Sequence, residues 1–216
     1  SNPTGAILDT KILQAISNLA RQHSIVVLSD EPYESIIFDG QKHVSLATFD
    51  GMKALTISAF TLSKTYAMTG WRLGYSVWPD KLYDNARKLA VNAWSCVNAP
   101  AQYAALEALT GPQDAVAMMG AEFDARRKLV VELLNDIPGV NCITPKGAFY
   151  AFPNITGTGR KAKQLASDLL EGPGVATIGG PDFGTLGEGY IRLSYANSQD
   201  NIREALARIR TYLTES

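Results

Sequence analysis

The sequence predicts an α/β protein: part of a three-layer sandwich around a mostly parallel sheet, followed by a small α+β domain. Two short β-branched runs, IVVLSD at 25–30 and ALTIS at 54–58, do not alternate between polar and apolar residues. Such runs are typical of parallel strands buried on both faces. Helix-like segments separate the strands, as in units joined by right-handed crossovers. After residue 80 the pattern changes to long helices and then to mixed short strands and helices.

The first half of the chain is predicted to contain three strands and several helices. Residues 9–24 form a helix, because Ile12, Ile16, Leu19 and Ala20 recur at helical spacing. The strands at 25–30 and 54–58 follow, and a third begins at Arg72 and runs to residue 79. Helical patterns then occupy three segments: 80–94, 100–111 and 115–137.

The second half of the chain is predicted to be a small α+β unit. Its predicted strands are at 140–144, 148–153, 175–179 and 189–195, and its predicted helices are at 161–171 and 200–213. We place the domain boundary close to the start of the long helix. Residues 1–115 are then the C-terminal part of a large domain, and residues 116–216 are a small C-terminal domain.

The composition excludes several classes of function. Twenty basic and twenty-one acidic side chains leave a net charge of −1. This balance gives no electrostatic reason to expect nucleic acid or an anionic membrane as a partner. The two cysteines and two histidines have no metal-binding spacing, so we expect no metal. No apolar run is long enough to cross a bilayer. We therefore expect a cytoplasmic protein that acts on small molecules.

The beginning of the chain has an unusual composition. The opening residues SNPTGAILD lack an initiator methionine and start on turn-forming residues, as if the chain were cut in a loop that follows a strand. We therefore expect the chain to be an incomplete fragment of a longer protein.

Several polar residues follow the predicted strands directly. Asp30 and Tyr33 come after the first strand, and Thr61 to Lys64 come after the second. Asn2 to Gly5 are expected to follow a strand outside this chain. In doubly wound sheets, ligands bind beyond the carboxyl ends of the strands, so these groups can converge. A carboxylate, a phenol, an amide, a lysine, hydroxyls and an arginine are the groups that pyridoxal phosphate requires.

Five motifs in this order resemble the class I aminotransferase family, among the fold type I pyridoxal-phosphate enzymes. The motifs are SNPTG at 1–5, SDEPYE at 29–34, TLSKTYAMTGWRLGY at 61–75, PKGAFYAF at 145–152 and GYIRLSYANS at 189–198. They extend over essentially the whole chain. The resemblance implies that residues 1–115 belong to the cofactor-binding domain. It also implies a homodimer that transfers an amino group between an amino acid and a 2-oxo acid, of the aspartate or aromatic type.

The resemblance also implies a role for each matching residue. Lys64 would carry the cofactor as a Schiff base. Asp30 would pair with the pyridinium nitrogen, and Tyr33 together with Asn2 would bind the ring hydroxyl oxygen. These assignments make Lys64, Asp30 and Tyr33 the expected catalytic residues.

The same pattern assigns the two anionic groups. Arg72 and Ser63 would hold the cofactor's phosphate, and Arg192 would bind the substrate's α-carboxylate. Thr61 stands where the family often has Ser or Gly, so it keeps a hydroxyl for the phosphate but adds a methyl group. The family's glycine-rich phosphate loop and its stacking aromatic ring precede the Asn-Pro-Thr-Gly motif, and neither is in this chain. We therefore expect the isolated chain to be inactive.

Two alternatives remain open from the sequence. The cofactor residues are compatible with another fold type I reaction, such as β-elimination or decarboxylation, because substrate-binding residues select the bond that breaks. The chain can also be a folded remnant without catalytic activity. The sequence does not define the side-chain specificity or the metabolic pathway.

Overall fold

The computed structural model describes residues 1–215 and divides into two compact units. The N-terminal unit is Leu8–Met118, and the C-terminal unit combines the chain from Met119 onward with Ser1–Ile7. The division after Met118 is close to the predicted boundary. Residues 1–7, which the prediction assigned to the large domain, belong to the C-terminal unit. No helix in the described part of the chain is both long and apolar enough to cross a membrane.

The N-terminal unit begins with helix α1, Thr10–His23. The Asp9 side chain caps its first turn by accepting a hydrogen bond from the Lys11 amide (2.6 Å), and Ser24 ends the helix in the left-handed conformation. Leu13 and Ala20 are buried, whereas Ile12 and Leu19 are about half exposed. The helical periodicity was therefore predicted correctly, but the face that packs on the core is rotated from the one the apolar spacing indicated.

A three-stranded sheet follows, with β1 at Val27–Asp30, β2 at Thr56–Thr61 and β3 at Gly74–Val77, in the order β1-β2-β3. The β1–β2 pair is parallel and the β2–β3 pair is antiparallel. The sheet is thus mixed, because two single turns rather than a crossover helix connect β2 to β3. Side chains of β1 and β3 are largely exposed within this chain, although the apolar runs predicted burial on both faces.

Three helices follow this sheet, and the third continues from the N-terminal unit into the C-terminal unit. They are α3 at Asp80–Trp94, α4 at Ala99–Thr110 and α5 at Asp114–Asn135. Asn98 caps α4 by accepting a hydrogen bond from the Ala101 amide at 2.9 Å. A short helix, α2, lies at Leu62–Thr65 between β2 and β3.

The C-terminal unit contains a small antiparallel sheet and two further helices. Its strands are β4 at Tyr150–Ala151, β5 at Ile178–Gly179 and β6 at Ile191–Ser194, in the order β4-β6-β5. The helices are α6 at Ala162–Glu171 and α7 at Gln199–Glu215. The sequence pattern predicted these elements, but the strands are shorter than expected.

The strand predicted at 140–144 is wrong. Only an isolated bridge forms there, between Asn141 and Asn154. The Asn135 side chain accepts a hydrogen bond from the Cys142 amide (2.7 Å) and donates one to the Cys142 carbonyl (3.2 Å). Because a side chain satisfies this backbone, the segment does not need a neighbouring strand.

The opening segment is anchored in the C-terminal unit through Gly5. The Gly5 carbonyl accepts hydrogen bonds from the amides of Lys146 (2.8 Å) and Gly147 (2.9 Å). Gly5 has φ +64°, and a Cβ atom there would overlap Pro145, so the position requires glycine. The buried Arg127 guanidinium donates to the Pro145 carbonyl at 2.8 Å and fixes the same loop. These contacts attach the opening segment, which includes Asn2, to the C-terminal unit.

Candidate functional site

Asp30 and Tyr33 lie at the carboxyl end of β1. Asp30 is the last residue of the strand and is paired with Ala59 of β2, and its side chain is exposed. The Glu31 amide donates to the Ala59 carbonyl at 2.8 Å, which continues the pairing by one residue. Tyr33 lies in the turn that follows and is half-buried.

A buried polar network that the sequence reasoning missed surrounds Glu31. Glu31 is only 5% exposed, and its carboxylate contacts the His43 ring at 2.5 Å and accepts a hydrogen bond from the Ser45 hydroxyl at 2.8 Å. Burial acts to raise the pKa of Glu31, but the hydrogen bonds from His43, Ser45 and Ser29 outweigh it and lower that pKa below its ordinary value. An acidic residue directly after Asp30, at the end of an apolar strand, was the available sequence signal.

Lys64 lies in the short helix α2, directly after β2. The Thr61 hydroxyl caps this helix by accepting a hydrogen bond from the Ser63 amide at 3.1 Å. Leu62 and Thr65 are buried, whereas Ser63 and Lys64 are half-buried. The turn is therefore anchored on both sides of the pair Ser63–Lys64 and leaves that pair partly accessible.

Arg72 precedes β3 instead of opening it as the sequence predicted. Its backbone is left-handed (φ 54°, ψ 50°), because the 3₁₀ turn at Thr69–Trp71 ends there. Its guanidinium donates to the Thr69 carbonyl at 3.0 Å, and the Thr69 hydroxyl donates to the Ser63 carbonyl at 3.2 Å. These two hydrogen bonds link Arg72 to the turn that contains Ser63.

One further hydrogen bond links the two loops of the N-terminal unit. The Thr65 hydroxyl donates to the Glu34 carboxylate at 3.2 Å. Glu34 follows Tyr33 in the chain and Thr65 follows Lys64, so this contact joins the turn after β1 to the turn after β2. Burial raises the pKa of Glu34 above its ordinary value.

The C-terminal unit contains Arg192 and Asn2. The Arg192 guanidinium donates from Nη1 to the Asn2 side-chain oxygen at 2.8 Å. Its central carbon lies 4.6 Å from the centre of the Tyr150 ring and 4.8 Å from that of Phe183. The Arg192 Nε atom is buried and has no hydrogen-bond partner within residues 1–215. Tyr150 and Phe183 were not among the predicted site residues.

The predicted residues thus form two groups. Asp30, Tyr33, Thr61, Ser63, Lys64 and Arg72 lie in the N-terminal unit, at the ends of β1 and β2 and in the turns that follow. Asn2 and Arg192 lie in the C-terminal unit and contact each other. Asn2, which the resemblance assigned to the ring oxygen of the cofactor, accepts a hydrogen bond from Arg192 through its side-chain oxygen.

Known proteins are similar to this chain over nearly its whole length. It is 43% identical over 215 residues to an aspartate aminotransferase of Pyrococcus horikoshii, covering 99% of this chain and 54% of that protein. It is 40% identical to aromatic-amino-acid aminotransferase 2 of Thermococcus litoralis, covering 100% of this chain and 56% of that protein. The chain therefore spans about half the length of the curated relatives it matches.

Solved structures confirm the predicted α/β fold class. The crystal structure of an aromatic aminotransferase from Pyrococcus horikoshii superimposes with a TM-score of 0.95 at 42% identity, covering 99% of this chain and 57% of that one. The aspartate aminotransferase of Rhizobium meliloti superimposes with a TM-score of 0.92 at 35% identity, covering 99% of this chain and 56% of that one. The family model for class I and II aminotransferases matches residues 1–209. The resemblance seen in the five motifs is thereby confirmed, and the chain belongs to the class I and II aminotransferase family.

Proposed function

We propose that the complete natural polypeptide containing this chain catalyses pyridoxal-phosphate-dependent transamination between an amino acid and a 2-oxo acid. The observation that carries the proposal is the position of Lys64, half-buried in a capped turn at the carboxyl end of β2. The names of the relatives support an aspartate or aromatic amino acid as substrate. The protein would act in amino-acid metabolism.

The groups of the N-terminal unit fit pyridoxal phosphate by their chemistry. The capped turn carries Thr61, Ser63 and Lys64, and a relay of two hydrogen bonds through Thr69 connects the Arg72 guanidinium to the same turn. Hydroxyls and a guanidinium are suited to bind a phosphate. Asp30 supplies a carboxylate at the end of the neighbouring strand, which is suited to a protonated ring nitrogen.

The chain's own residues would divide the chemistry among them. When bound, the cofactor supplies an electron sink for the carbanion formed at the substrate's α-carbon. The Lys64 amine would bond covalently to the cofactor's carbonyl carbon. Once released from that bond, it would accept and return the α-proton as a general base and acid. Asp30 would stabilise the proton on the ring nitrogen, and the Tyr33 phenol would hydrogen-bond the ring oxygen. Arg192 would bind the substrate's carboxylate, with Asn2 beside it.

We further propose that the protein is a cytoplasmic homodimer. The resemblance to the family supports the dimer. The balanced charge supports the location, as do Cys96 and Cys142, which are both unpaired thiols. Sedimentation of the complete polypeptide and localisation of a tagged copy would test these two statements.

The proposal is tested by assaying the complete polypeptide with paired amino and 2-oxo acids and following ¹⁵N from one to the other. We expect the label in the new amino acid, and we expect Lys64→Ala to abolish the transfer. Release of free ammonia or carbon dioxide without transfer of ¹⁵N would favour the rival reactions, β-elimination or decarboxylation. A folded protein that takes up the cofactor but catalyses none of these reactions would support the inactive remnant.

A further inference from the structure

Tyr33 and Lys64 lie in two turns that follow neighbouring parallel strands. The β1–β2 pairing ends at Asp30 and Ala59, with one further hydrogen bond from the Glu31 amide to the Ala59 carbonyl at 2.8 Å. Tyr33 and Lys64 both lie beyond that point, in the turn after β1 and in helix α2. The pairing of the strands therefore does not by itself fix the separation of the phenol and the amine, which the proposed reaction needs in a defined geometry.

A hydrogen bond between side chains joins the two turns directly. The Thr65 hydroxyl donates to Glu34 Oε1 at 3.2 Å, across 31 positions in the chain. Glu34 is the residue after Tyr33, and Thr65 is the residue after Lys64. Thr65 is only 5% exposed, and a buried hydroxyl that loses its partner is costly, so the contact resists separation of the turns. We call this contact the Glu34–Thr65 bridge.

Each end of the bridge is attached to an ordered turn. On one side, the Ile36 amide donates to the Tyr33 carbonyl at 3.0 Å, and the Ile36 side chain is buried. On the other side, the Tyr66 amide donates to the Leu62 carbonyl at 3.3 Å, and the Leu62 side chain is buried. Because both ends are anchored, the bridge constrains the position of one turn relative to the other.

The environment of Glu34 distinguishes it from an ordinary surface carboxylate. Its Oε2 atom is buried and has no hydrogen-bond partner within residues 1–215. Burial raises the pKa of Glu34 despite the hydrogen bond from Thr65, and the charges of His43 and Glu31 act on that pKa in opposite directions. Tyr75 of β3 lies close enough that burial and then the charge of Glu34 raise the Tyr75 pKa. A desolvated carboxyl in this place is a candidate functional group.

We propose that Glu34 and Thr65 are positioning residues, whose bridge holds the turn that carries Lys64 against the turn that carries Tyr33 and so aligns the Lys64 amine for proton transfer. The inference rests on the proposed function, because it refines how the reacting lysine is placed. Both residues act through Lys64 rather than on the substrate, whose proposed ligand Arg192 lies outside both turns. The bridge should therefore contribute to kcat and hardly to KM.

The kinetic test removes the bridge from the complete polypeptide and then restores it. Thr65→Val keeps the size of the side chain but removes the hydroxyl, so kcat should fall about tenfold while KM changes by less than about twofold. Glu34→Ala should have a similar effect, and the double variant should be no slower than the slower single variant, because both changes break the same contact. Thr65→Ser keeps a hydroxyl and should restore kcat to within about twofold of the wild-type value.

The second readout is amide hydrogen exchange in the complete polypeptide without cofactor, which does not depend on activity. The amides of Tyr66 and Ala67 donate within the turn that carries Lys64. Their exchange should become at least about fivefold faster in Thr65→Val and return to the wild-type rate in Thr65→Ser. The Glu31 amide, which donates within the sheet, should keep its rate, and this shows that the loosening is confined to the turn.

Thr56→Val is the matched control, because Thr56 is a threonine of β2 that is 3% exposed and whose hydroxyl has no hydrogen-bond partner within residues 1–215. It should leave kcat, KM and the exchange rates unchanged. The inference is overturned if Thr65→Val behaves like Thr56→Val in either readout, if serine does not restore kcat, or if the effects of Thr65→Val and Glu34→Ala add. If the polypeptide does not transaminate at all, the proposed function fails, and the exchange rates alone decide whether the bridge positions the Lys64 turn.

Discussion

Lys64 owes its position to the residues on either side of it. Leu62 and Thr65 are buried, and the Thr61 hydroxyl fixes the first turn of the helix through the Ser63 amide. A lysine in an ordinary surface loop loses more conformational freedom when it forms a bond, because its backbone must also be ordered. Lys53 also lies in an ordered turn, Met52–Ala54, but it is exposed, as is Lys42. The combination of an ordered backbone and partial burial favours Lys64 as the covalent partner of a cofactor.

We predict that Lys64 is the residue that binds the cofactor covalently. Borohydride reduction of the cofactor-loaded complete polypeptide should make this bond permanent, and peptide mapping should then find the pyridoxyl group on Lys64. Lys64→Arg, which keeps a positive charge, should carry no label. A pyridoxyl group on Lys53 or on any other lysine would refute the assignment.

A second prediction at this scale concerns Asp30. Asp30 lies at the end of β1, and under the proposed function its carboxylate would hold a proton on the ring nitrogen of the cofactor. Asp30→Asn removes the charge but keeps the shape, so turnover by the complete polypeptide should fall by about two orders of magnitude or more. Because the Asp30 side chain is exposed, the thermal unfolding temperature of the Asp30→Asn variant should be close to that of the wild type. Near-normal turnover in this variant would contradict the role of Asp30.

At the scale of elements, the Glu31 network stabilises the loop that follows β1. Glu31 is held by His43 and Ser45 from the far end of that loop, and the neighbouring Glu34 carboxyl faces the same region. Because the pKa of Glu31 is lowered in the folded protein, its carboxylate stabilises the fold at neutral pH. This contribution is lost as the pH falls through the ordinary glutamate range and then through the lowered pKa.

We therefore predict a pH-dependent effect of His43→Ala on the N-terminal unit. At pH 7 the variant should lose about 1–3 kcal/mol of unfolding free energy, because it leaves a buried carboxylate oxygen unpaired. The loss should become smaller as the pH falls through the ordinary glutamate range, because the carboxylate left unpaired in the variant then takes up a proton. Urea unfolding of the 216-residue chain, at protein concentrations at which light scattering detects no association, can be followed by tryptophan fluorescence, because Trp71, Trp78 and Trp94 all lie in this unit.

The control for this prediction is His23→Ala, which changes an exposed histidine at the end of α1. It should change the unfolding free energy only slightly and without the same dependence on pH. An equal loss of stability for His43→Ala at both ends of the pH range would show that the contact between His43 and the Glu31 carboxylate is not the cause.

The sequence predicted elements well where local signals decide them. Helix α3, Asp80–Trp94, begins and ends where its periodicity indicated. The prediction of a strand at 140–144 was wrong because the Asn135 side chain, which lies outside the predicted strand, forms hydrogen bonds with the backbone amide and carbonyl of Cys142. The direction of β3 and the left-handed backbone of Arg72 depend on how the segment Leu62–Leu73 folds, which periodicity does not report.

The sequence could identify those candidate residues that lie at or just after the end of a strand. Asp30 and Lys64 have that place, and the sequence selected them. Tyr150 and Phe183 could not be selected in this way, because aromatic residues in a strand or a loop are more often part of a core. Their contact with Arg192 arises from the pairing of β4 with β6 and from the turn after β5, which only the structure reveals.

At the scale of the whole molecule, the N-terminal unit leaves much apolar surface uncovered. Leu28 of β1 is 68% exposed, Val77 of β3 is also largely exposed, and α3 buries none of its described side chains. Both β1 and β3 are edge strands in the described sheet. Exposed apolar edge strands promote association with other chains.

Our last prediction is that residues 1–216 do not transaminate on their own and that they self-associate. The chain spans about half the length of its relatives, and it contains Lys64 and the turn that we propose binds phosphate. The resemblance implies that the family's glycine-rich phosphate loop and stacking ring would precede the Asn-Pro-Thr-Gly motif. With excess pyridoxal phosphate, we expect no steady formation of oxo acid, and light scattering that grows with protein concentration. Val77→Lys, which places a charge on the edge strand β3, should reduce the scattering without creating activity. The complete polypeptide, assayed in parallel, is the positive control. Steady turnover by a monodisperse sample of the 216-residue chain would show that its own groups complete the site, and the dependence on further chain would have to be abandoned.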